Sequence, residues 1–200
     1  MDRLIIRGQK RLKGEVTISG AKNAALGVLP AALLLNDTCT IENIPDILDI
    51  KILKNIMESL GARFEDIDAN TVKIDTRNVN SYMATTEDMH KLRGSYYLMG
   101  ALLGRFKKAV VTFPGGCNLG VRPIDQHIKG FESLGAKVEV EHGYIKLSAH
   151  KLTGASIYLD VVSVGATINI MLAAVRADGL TTIENAAREP HIVDIANFLN

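Results

Sequence analysis

Apolar and polar positions along the chain repeat in the same order three times. Each copy begins with a segment that is apolar nearly all round, at 23–35, 95–104 and 164–175. A helix with no polar face belongs in a protein interior, so these segments predict three buried helices. Short β-branched strands follow them, centred on Ile41, Val111 and Ile183, with spacings of 70 and 72 residues. A regular spacing of this length indicates an internal repeat.

A second, amphipathic helix follows each central strand. Its apolar residues recur with helical spacing in the first two copies, at Ile52, Ile56 and Leu60 and then at Ile128, Phe131 and Leu134. Both helices end in Leu-Gly-Ala, so Gly61 and Gly135 are expected to adopt the left-handed C-cap conformation. Pairs of alternating strands come next, at 63–65 with 71–74 and at 137–140 with 144–147. Residues 68–70 and 142–143 are predicted to form their turns.

A strand is also predicted to lead into each buried helix, as at Glu15–Ile18 and Ile157–Leu159. The unit is therefore helix, strand, helix, strand, strand. Buried helices beside amphipathic ones favour an α/β (α+β) arrangement with the helices inside and the sheet outside. A doubly wound parallel sheet is the alternative, and the hairpins after each second helix disfavour it. The third copy reaches Asn200 before its last two strands, so we expect it to be incomplete.

The composition of the chain excludes several classes of protein. The chain has 23 Lys+Arg against 22 Asp+Glu, a net charge of +1, and no Trp. A nucleic-acid-binding protein usually carries a basic excess, and the two apolar stretches 23–36 and 161–175 are too short to span a membrane. Two distant cysteines form neither a CxxC motif nor a disulfide framework. We therefore expect a cytoplasmic protein with no nucleic acid, membrane, metal or cofactor.

The connection between the second central strand and its following helix is the longest, and it contains Pro114-Gly115-Gly116-Cys117. Long glycine-rich loops often carry function. Cys117 precedes Arg122 at the next helix start, and a nearby cation and helix N-terminus lower the pKa of a thiol. Cys117 is thus either a reactive thiol or a small buried residue on a turn. Cys39 lies in a predicted strand and is expected to be structural.

The starts of the three buried helices carry Lys22, Arg93 and Ser163 at equivalent places in the repeat. A threefold arrangement puts these starts at one end of the domain, where free N–H groups and the positive end of the helix dipole attract anions. The alternative is that Lys22 and Arg93 are solvated charges beside ordinary caps. Their equivalence under the repeat favours a site for a polyanion.

Other familiar motifs fail on inspection. Gly115 and Gly120 have the spacing of a phosphate-binding loop, but Val121-Arg122 stands where that loop needs a lysine and a hydroxyl residue. The five histidines form no metal-binding motif. His127 lies near Cys117 in sequence, but spacing alone does not make them a catalytic pair. The basic cluster of residues 105, 107 and 108 is interpreted as a solvated turn.

Several segments resemble the UDP-N-acetylglucosamine 1-carboxyvinyltransferase family, the enolpyruvyl transferases of peptidoglycan synthesis. They are Gly20–Ala25, Leu92-Arg93, Pro114–Cys117, Gly120–Gly130 and Ser163–Thr167. The resemblance runs from Leu4 to Asn200. It implies an inside-out barrel of three repeated units, with a second such domain elsewhere. Residues 1–20 would belong to that other domain, and 21–200 to this one, in units of about 21–75, 92–148 and 155–200.

The resemblance implies transfer of the enolpyruvyl group of phosphoenolpyruvate to the 3-hydroxyl of UDP-N-acetylglucosamine with release of phosphate, the first committed step of peptidoglycan synthesis. It assigns phosphoenolpyruvate to Lys22, the sugar to Asn23, and the sugar nucleotide to Arg93. The uridine slot would be lined by Arg122, Pro123, Ile124, Asp125 and Gln126. Ser163 and Val164 would hold the diphosphate. Val161-Val162 departs from the family, where many members carry a lysine.

By the same resemblance, Cys117 protonates the methylene carbon, forms an adduct with phosphoenolpyruvate, and is alkylated by fosfomycin. The general base lies in the other domain, so this chain alone is expected to have no turnover. The alternatives are a non-catalytic sugar-nucleotide-binding protein and an enzyme like 5-enolpyruvylshikimate-3-phosphate synthase. A third, an RNA-end-processing enzyme, is disfavoured by the neutral charge.

Overall fold

The computed structural model describes residues 3–9, 11–113 and 123–200. Within them it has six α-helices: α1 Lys22–Ala32, α2 Leu48–Ser59, α3 Tyr97–Phe106, α4 Asp125–Ser133, α5 Val164–Ala174 and α6 Pro190–Leu199. The nine strands of the same residues are β1 Thr38–Ile41, β2 Arg63–Asp66, β3 Val72–Asp75, β4 Met83–Ala84, β5 Lys108–Thr112, β6 Lys137–Glu141, β7 Tyr144–Ser148, β8 Ser156–Tyr158 and β9 Thr182–Glu184. Two 3-10 turns, Glu87–His90 and Arg93–Tyr96, precede α3.

The three helices predicted to be buried are α1, α3 and α5, and we call them the inner helices. Each contributes five buried apolar residues to the core, and α3 packs directly on α5. At Gly100 the two backbones touch, because a Cβ there would lie 2.3 Å from the carbonyl oxygen of Asn169. The buried amide of Asn169 accepts a hydrogen bond from the Gly100 N–H at 2.8 Å. This contact holds the two helices at a fixed separation.

Each copy of the repeat forms its own sheet. The strand orders are β1-β3-β2, β4-β5-β7-β6 and β8-β9. Pairing is antiparallel except between β4 and β5 and between β8 and β9. Strands β3 and β7 alternate buried and more exposed side chains, so one face of each sheet covers the helices. The described residues thus confirm helices inside and sheets outside, and show no doubly wound parallel sheet.

The predicted turns and caps are confirmed. Gly61 and Gly135 adopt φ values of +105° and +91° at the ends of α2 and α4. His142 and Gly143 both have positive φ between β6 and β7. This two-residue connection matches the twist of an antiparallel hairpin, because both central residues are left-handed.

One local prediction is wrong. Glu15–Ile18 forms no strand, and Val16 and Ile18 are 83% and 84% exposed. A strand needs a neighbour for its N–H and C=O groups, and among the described residues this segment has none. The apolar stripe predicted on α2 is confirmed, because Ile56 and Leu60 are buried and Ile52 is partly buried and packs against the core. Ile52 lies at the margin of the apolar face because the helix turns about 100° per residue.

Arg105 corrects the interpretation of the basic cluster as a solvated turn. Its guanidinium lies at the end of the inner helices and donates hydrogen bonds to the carbonyl oxygens of Leu33 at 2.6 Å and Thr76 at 2.9 Å, and also to that of Leu35. The guanidinium of Arg176 donates to the carbonyl oxygen of Leu34. Both side chains satisfy carbonyl groups left over where α1 ends.

Candidate functional site

A cleft of about 920 Å³ opens where the inner helices begin. Its walls come from the first turns of α1, α5 and α4 and from the 3-10 turn that leads into α3. This places the three helix starts at one end of the domain, as the repeat predicts. A smaller depression of about 590 Å³ lies between α2 and the β2–β3 hairpin and contains none of the predicted site residues.

The cleft brings together nine of the eleven predicted site residues. They are Lys22, Asn23, Arg93, Pro123, Ile124, Asp125, Gln126, Ser163 and Val164. The other two, Cys117 and Arg122, lie outside the described residues. The roles assigned to all eleven stay predictions.

Lys22 lies at the first position of α1, and its ammonium group forms an ion pair with the carboxylate of Asp49 on α2. Both side chains are partly exposed, at 51% and 31%. Solvent therefore screens the pair, and exposed pairs of this kind contribute about 0–1 kcal/mol. The N-cap residue of α1, Ala21, has no side chain that could bond to the first-turn N–H groups. Lys22 and these N–H groups are thus placed to meet an anion.

Charged side chains of both signs line the cleft. Among the described residues that line it, three are cationic, Lys22, Lys91 and Arg93, and three are acidic, Asp49, Asp125 and Glu189. The acids lie at the starts of the second helices α2, α4 and α6, where negative charge is favourable beside the helix dipole. The sequence predicted Lys22, Arg93 and the single acid Asp125 here, whereas the described walls have equal numbers of acids and cations. A ligand with both donor and acceptor groups fits such a lining.

The start of α5 carries no charged side chain between residues 161 and 165. Ser163 is its N-cap, and the Ser163 hydroxyl oxygen accepts a hydrogen bond from the N–H of Ala166 at 3.3 Å. The N–H groups of Val164 and Gly165 belong to the first turn and have no acceptor within the helix. This wall therefore presents neutral donors to the cleft.

The start of α4 is held by a polar network. The Gln126 amide nitrogen donates to the carboxylates of Asp125 at 2.9 Å and Asp160 at 3.2 Å, and its oxygen accepts from the Asp160 N–H at 2.9 Å. The hydrogen bond from Gln126 lowers the pKa of Asp125. Lys129 in turn pairs with Asp160 at 2.7 Å. The buried Gln126 side chain thus fixes Asp125 in its ionised form at the cleft wall.

His127 lines the same wall and is only 7% exposed. Its ring lies 5.9 Å from that of Tyr96, between centroids, and its Nδ1 atom is buried without a hydrogen-bond partner. Burial lowers the pKa of His127 to about 4, and the charge of Arg93 acts in the same direction, whereas Asp125 opposes the shift. His127 is therefore neutral at pH 7.

Sequence reasoning missed several residues of the cleft. Asp49, Glu189 and His191 line it, and the Glu189 Oε2 and His191 Nε2 atoms are buried without a partner. Counting from the central strands would have placed Asp49 and Glu189 near equivalent helix starts, as it did Lys22 and Arg93. Nothing in the sequence pattern indicates His191, which lines the cleft because the fold brings the start of α6 there.

Two kinds of feature are not found in the described part of the chain. Within it, no three His, Cys, Asp or Glu side chains cluster closely enough to bind a metal ion. None of its helices combines the length and apolarity that a membrane crossing needs.

Comparison with known proteins places this chain in a family. The family model described as EPSP synthase (3-phosphoshikimate 1-carboxyvinyltransferase) matches residues 6–200. The chain is 57% identical over 200 residues to UDP-N-acetylglucosamine 1-carboxyvinyltransferase 3 of Caldanaerobacter subterraneus subsp. tengcongensis, covering 100% of this chain and 48% of that protein. Identity to UDP-N-acetylglucosamine 1-carboxyvinyltransferase 2 of Clostridium acetobutylicum is 59%, with the same coverage. The chain thus spans about half the length of the curated relatives it matches.

Solved structures agree with the sequence relatives. The enolpyruvyl transferase NikO from Streptomyces tendae superposes with a TM-score of 0.81 at 25% identity, over 96% of this chain and 45% of that one. EPSP synthase from Acinetobacter baumannii superposes with a TM-score of 0.70 at 20% identity, over 93% and 44%, and supports the fold alone. These matches confirm the inside-out barrel and the resemblance inferred from the motifs. The chain belongs to the enolpyruvyl transferase family described as EPSP synthase (3-phosphoshikimate 1-carboxyvinyltransferase).

Proposed function

We propose that this chain binds UDP-N-acetylglucosamine and phosphoenolpyruvate and takes part in transfer of the enolpyruvyl group to the 3-hydroxyl of the sugar. The observation that carries the proposal is the convergence of three inner-helix starts, with nine predicted residues, on one cleft. The relatives named UDP-N-acetylglucosamine 1-carboxyvinyltransferase, at 57% and 59% identity, favour this sugar nucleotide.

The diphosphate binds at the start of α5. Its oxygens accept hydrogen bonds from the first-turn N–H groups of Val164 and Gly165, which the helix itself leaves without acceptors. Ser163 adds a donor, because its oxygen already accepts from the Ala166 N–H while its own hydrogen stays available. Neutral donors at a helix start suit an anion that must also be released.

The uridine binds at the start of α4. Uracil has one ring N–H that needs an acceptor, and the carboxylate of Asp125 is held ionised beside the cleft by Gln126. Pro123 and Ile124 give the ring an apolar surface. The Gln126 side chain is occupied by Asp125 and Asp160, so we assign it a positioning role. Arg122, from outside the described residues, completes this slot.

Phosphoenolpyruvate binds at Lys22, with Asn23 directed to the sugar and Arg93 to the sugar nucleotide. Fixed cations stabilise the phosphate and the negative charge that develops during addition. In that step the 3-hydroxyl loses its proton to a base of the other domain and its oxygen bonds to C2 of the enolpyruvyl group, while a proton from Cys117 bonds to C3. Elimination then removes phosphate from C2 and a proton from C3, which restores the double bond.

Binding is tested by calorimetric titration of the chain with UDP-N-acetylglucosamine and, separately, shikimate 3-phosphate. We expect the chain to bind the sugar nucleotide, and Asp125→Ala to weaken this binding by about 10-fold, the range of a hydrogen bond to a charged group. Asn55→Ala, in the smaller depression, is the matched control. Preference for shikimate 3-phosphate would reassign the substrate.

Turnover is tested by mass spectrometry on the full-length protein, with wild type compared with Cys117→Ala. We expect enolpyruvyl product from the wild type and a large loss in the variant. Absence of product from both would contradict the proposed reaction. Phosphate release by residues 1–200 alone would contradict the expectation that a second domain supplies the base.

A further inference from the structure

His127 is the buried polar side chain of the cleft that the proposed reaction does not use. It lies in the first turn of α4, between the Tyr96 ring and the first turn of α5. Its Nδ1 atom has no hydrogen-bond partner although the residue is more than nine-tenths buried. Leaving a buried polar atom unpaired is costly, so such a residue in a cleft wall calls for an explanation.

The opposite ring nitrogen faces α5. A Cβ built on Gly165 would come within 2.9 Å of His127 Nε2 and within 3.3 Å of Cε1. Any larger residue at 165 would push the imidazole away, so glycine is what allows Nε2 to lie against the first turn of this helix. The N–H groups of Val164 and Gly165 are in that same turn and have no acceptor within the helix.

Burial lowers the pKa of the His127 ring, and the charges beside the ring oppose each other, since Asp125 raises this pKa and Arg93 lowers it. On its own helix the ring faces the carboxylate of Asp125, and from the neighbouring turn it faces Arg93 and the phenol of Tyr96. From α5 it faces Gly165, and the neighbouring Ser163 and Val164, which line the same cleft, carry no titratable group either. A neutral imidazole has one N–H and one bare nitrogen.

We propose that His127 donates a hydrogen bond from Nε2–H to an anionic oxygen held at the start of α5, with Gly165 providing the space for the imidazole. The ligand class is a nucleoside diphosphate, and this identification rests on the proposed function. His127 is then a ligand-contacting donor for the diphosphate. With the proton on Nε2, the buried Nδ1 is an acceptor without a donor, and the hydrogen bond from Nε2 is the one that the ring gains from the ligand.

The test compares UDP, uridine and inorganic pyrophosphate as calorimetric probes of the chain. In His127→Leu we expect affinity for UDP and for pyrophosphate to fall by about 10- to 100-fold, the range of hydrogen bonds to charged groups, while uridine binding is unchanged. His127→Gln, whose amide nitrogen lies where Nε2 lies, restores most of the affinity. His127→Asn, whose donor lies nearer Nδ1, does not. Thermal unfolding of each variant establishes that it is folded.

Nitrogen NMR of the wild type gives an independent measurement that needs no variant. We expect the His127 ring to be neutral with its proton on Nε2, and the Nε2 resonance to shift with UDP but not with uridine. A proton on Nδ1, or equal UDP affinity in wild type and folded His127→Leu, would overturn the inference and leave the proposed function standing. His127-dependent pyrophosphate binding without UDP-N-acetylglucosamine binding would support the donor and overturn the proposed function.

Discussion

The two ends of the inner helices are completed in different ways. Where α1 ends, Arg105 and Arg176 donate hydrogen bonds to the carbonyl oxygens of Leu33, Leu34 and Leu35. Where the helices begin, the N-cap positions before α1 and before the 3-10 turn at 93–96 provide no side-chain acceptor, and a cleft opens instead. The chain's own cations therefore satisfy the closed end, and the open end leaves N–H groups for a ligand.

The helix dipole explains why the ends differ in this direction. A helix carries partial negative charge at its C-terminus and partial positive charge at its N-terminus. Guanidinium groups built into the chain complete the negative end permanently. The positive ends retain the capacity to bind an anion, and only Ser163 at the start of α5 uses part of it. The four predictions below test whether the C-terminal end of the inner helices serves stability and the N-terminal end serves ligand binding.

The largest effect is expected at the closed end, from Arg105→Met. The substitution removes donors to the carbonyl oxygens of Leu33, Thr76 and Val79, of which that of Thr76 still accepts from the Val79 N–H. Hydrogen bonds to charged groups contribute about 1.5–3 kcal/mol, so we expect a loss of roughly 3 kcal/mol in the free energy of unfolding. Urea unfolding measures it.

Ligand binding provides the contrast for the same variant. Because Arg105 lies at the far end from the cleft, UDP affinity of folded Arg105→Met should match that of the wild type. Lys108→Met, which removes an exposed cation nearby, is the control and should unfold like the wild type. If Arg105→Met had normal stability but bound UDP more weakly, the closed end would be the binding end, and the two assignments would be reversed.

At the open end, His127 makes stability depend on pH. Its pKa is lowered to about 4 by burial, whereas an unfolded histidine titrates near 6.5. Between these values the unfolded chain binds more protons than the folded chain, so stability rises with pH across this window. The shift corresponds to a gain on the order of 3 kcal/mol from pH 4 to pH 6.5.

The variant His127→Gln isolates this contribution. Other groups, Asp125 among them, titrate in both proteins, so the difference between wild type and variant carries the histidine term. Urea unfolding at pH 4.5 and pH 7 should give a smaller pH dependence for His127→Gln. Equal dependence in both proteins would mean that His127 ionises freely in the folded state.

A smaller effect is expected from Gly165→Ala, which tests the space beside His127. The new Cβ would lie 2.9 Å from His127 Nε2, so the imidazole must move. We expect UDP affinity to fall by about 10-fold, the value of one hydrogen bond to a charged group. The free energy of unfolding should not fall by as much as the free energy of UDP binding. Alanine is more favourable than glycine in a helix by about 1 kcal/mol, which offsets part of the strain.

A double-mutant cycle with His127→Leu gives the control, with binding measured by calorimetry. If the alanine acts by displacing the imidazole, Gly165→Ala should cost little UDP affinity once His127 is gone. Additive losses would instead indicate that the methyl group blocks the ligand directly.

The elements of the fold could be predicted because each has a local cause. All-apolar segments gave the inner helices, and the glycines at 61 and 135 gave the ends of α2 and α4. The strand at Glu15–Ile18 failed because alternation shows that a segment is suited to a sheet without showing that a partner strand is present.

The cleft could be predicted only in part. Lys22, Arg93 and Ser163 were found because the repeat gives them equivalent positions, and the structure brings them together. Asp49 was missed because attention to cations hid the acids at equivalent second-helix starts. The buried setting of His127 depends on packing among α4, α5 and Tyr96, which no spacing in the sequence reveals.

The smallest effect is expected at the exposed corner of the cleft, from Asp49→Asn. This change removes the carboxylate that pairs with Lys22 but keeps the size of the side chain. Because both partners are partly exposed, the pair contributes only about 0–1 kcal/mol. An anion that binds Lys22 must compete with that carboxylate, so the variant should bind pyrophosphate up to about fivefold more tightly at low salt.

The gain in pyrophosphate affinity should shrink at 0.5 M salt, where the Debye length falls to about 4 Å. Calorimetry at two salt concentrations measures this, with Asp46→Asn, at another exposed lysine pair on α2, as the control. Weaker pyrophosphate binding in Asp49→Asn would show that the carboxylate positions Lys22 for the anion instead of competing with it, and the open end would then contain a built-in partner as the closed end does.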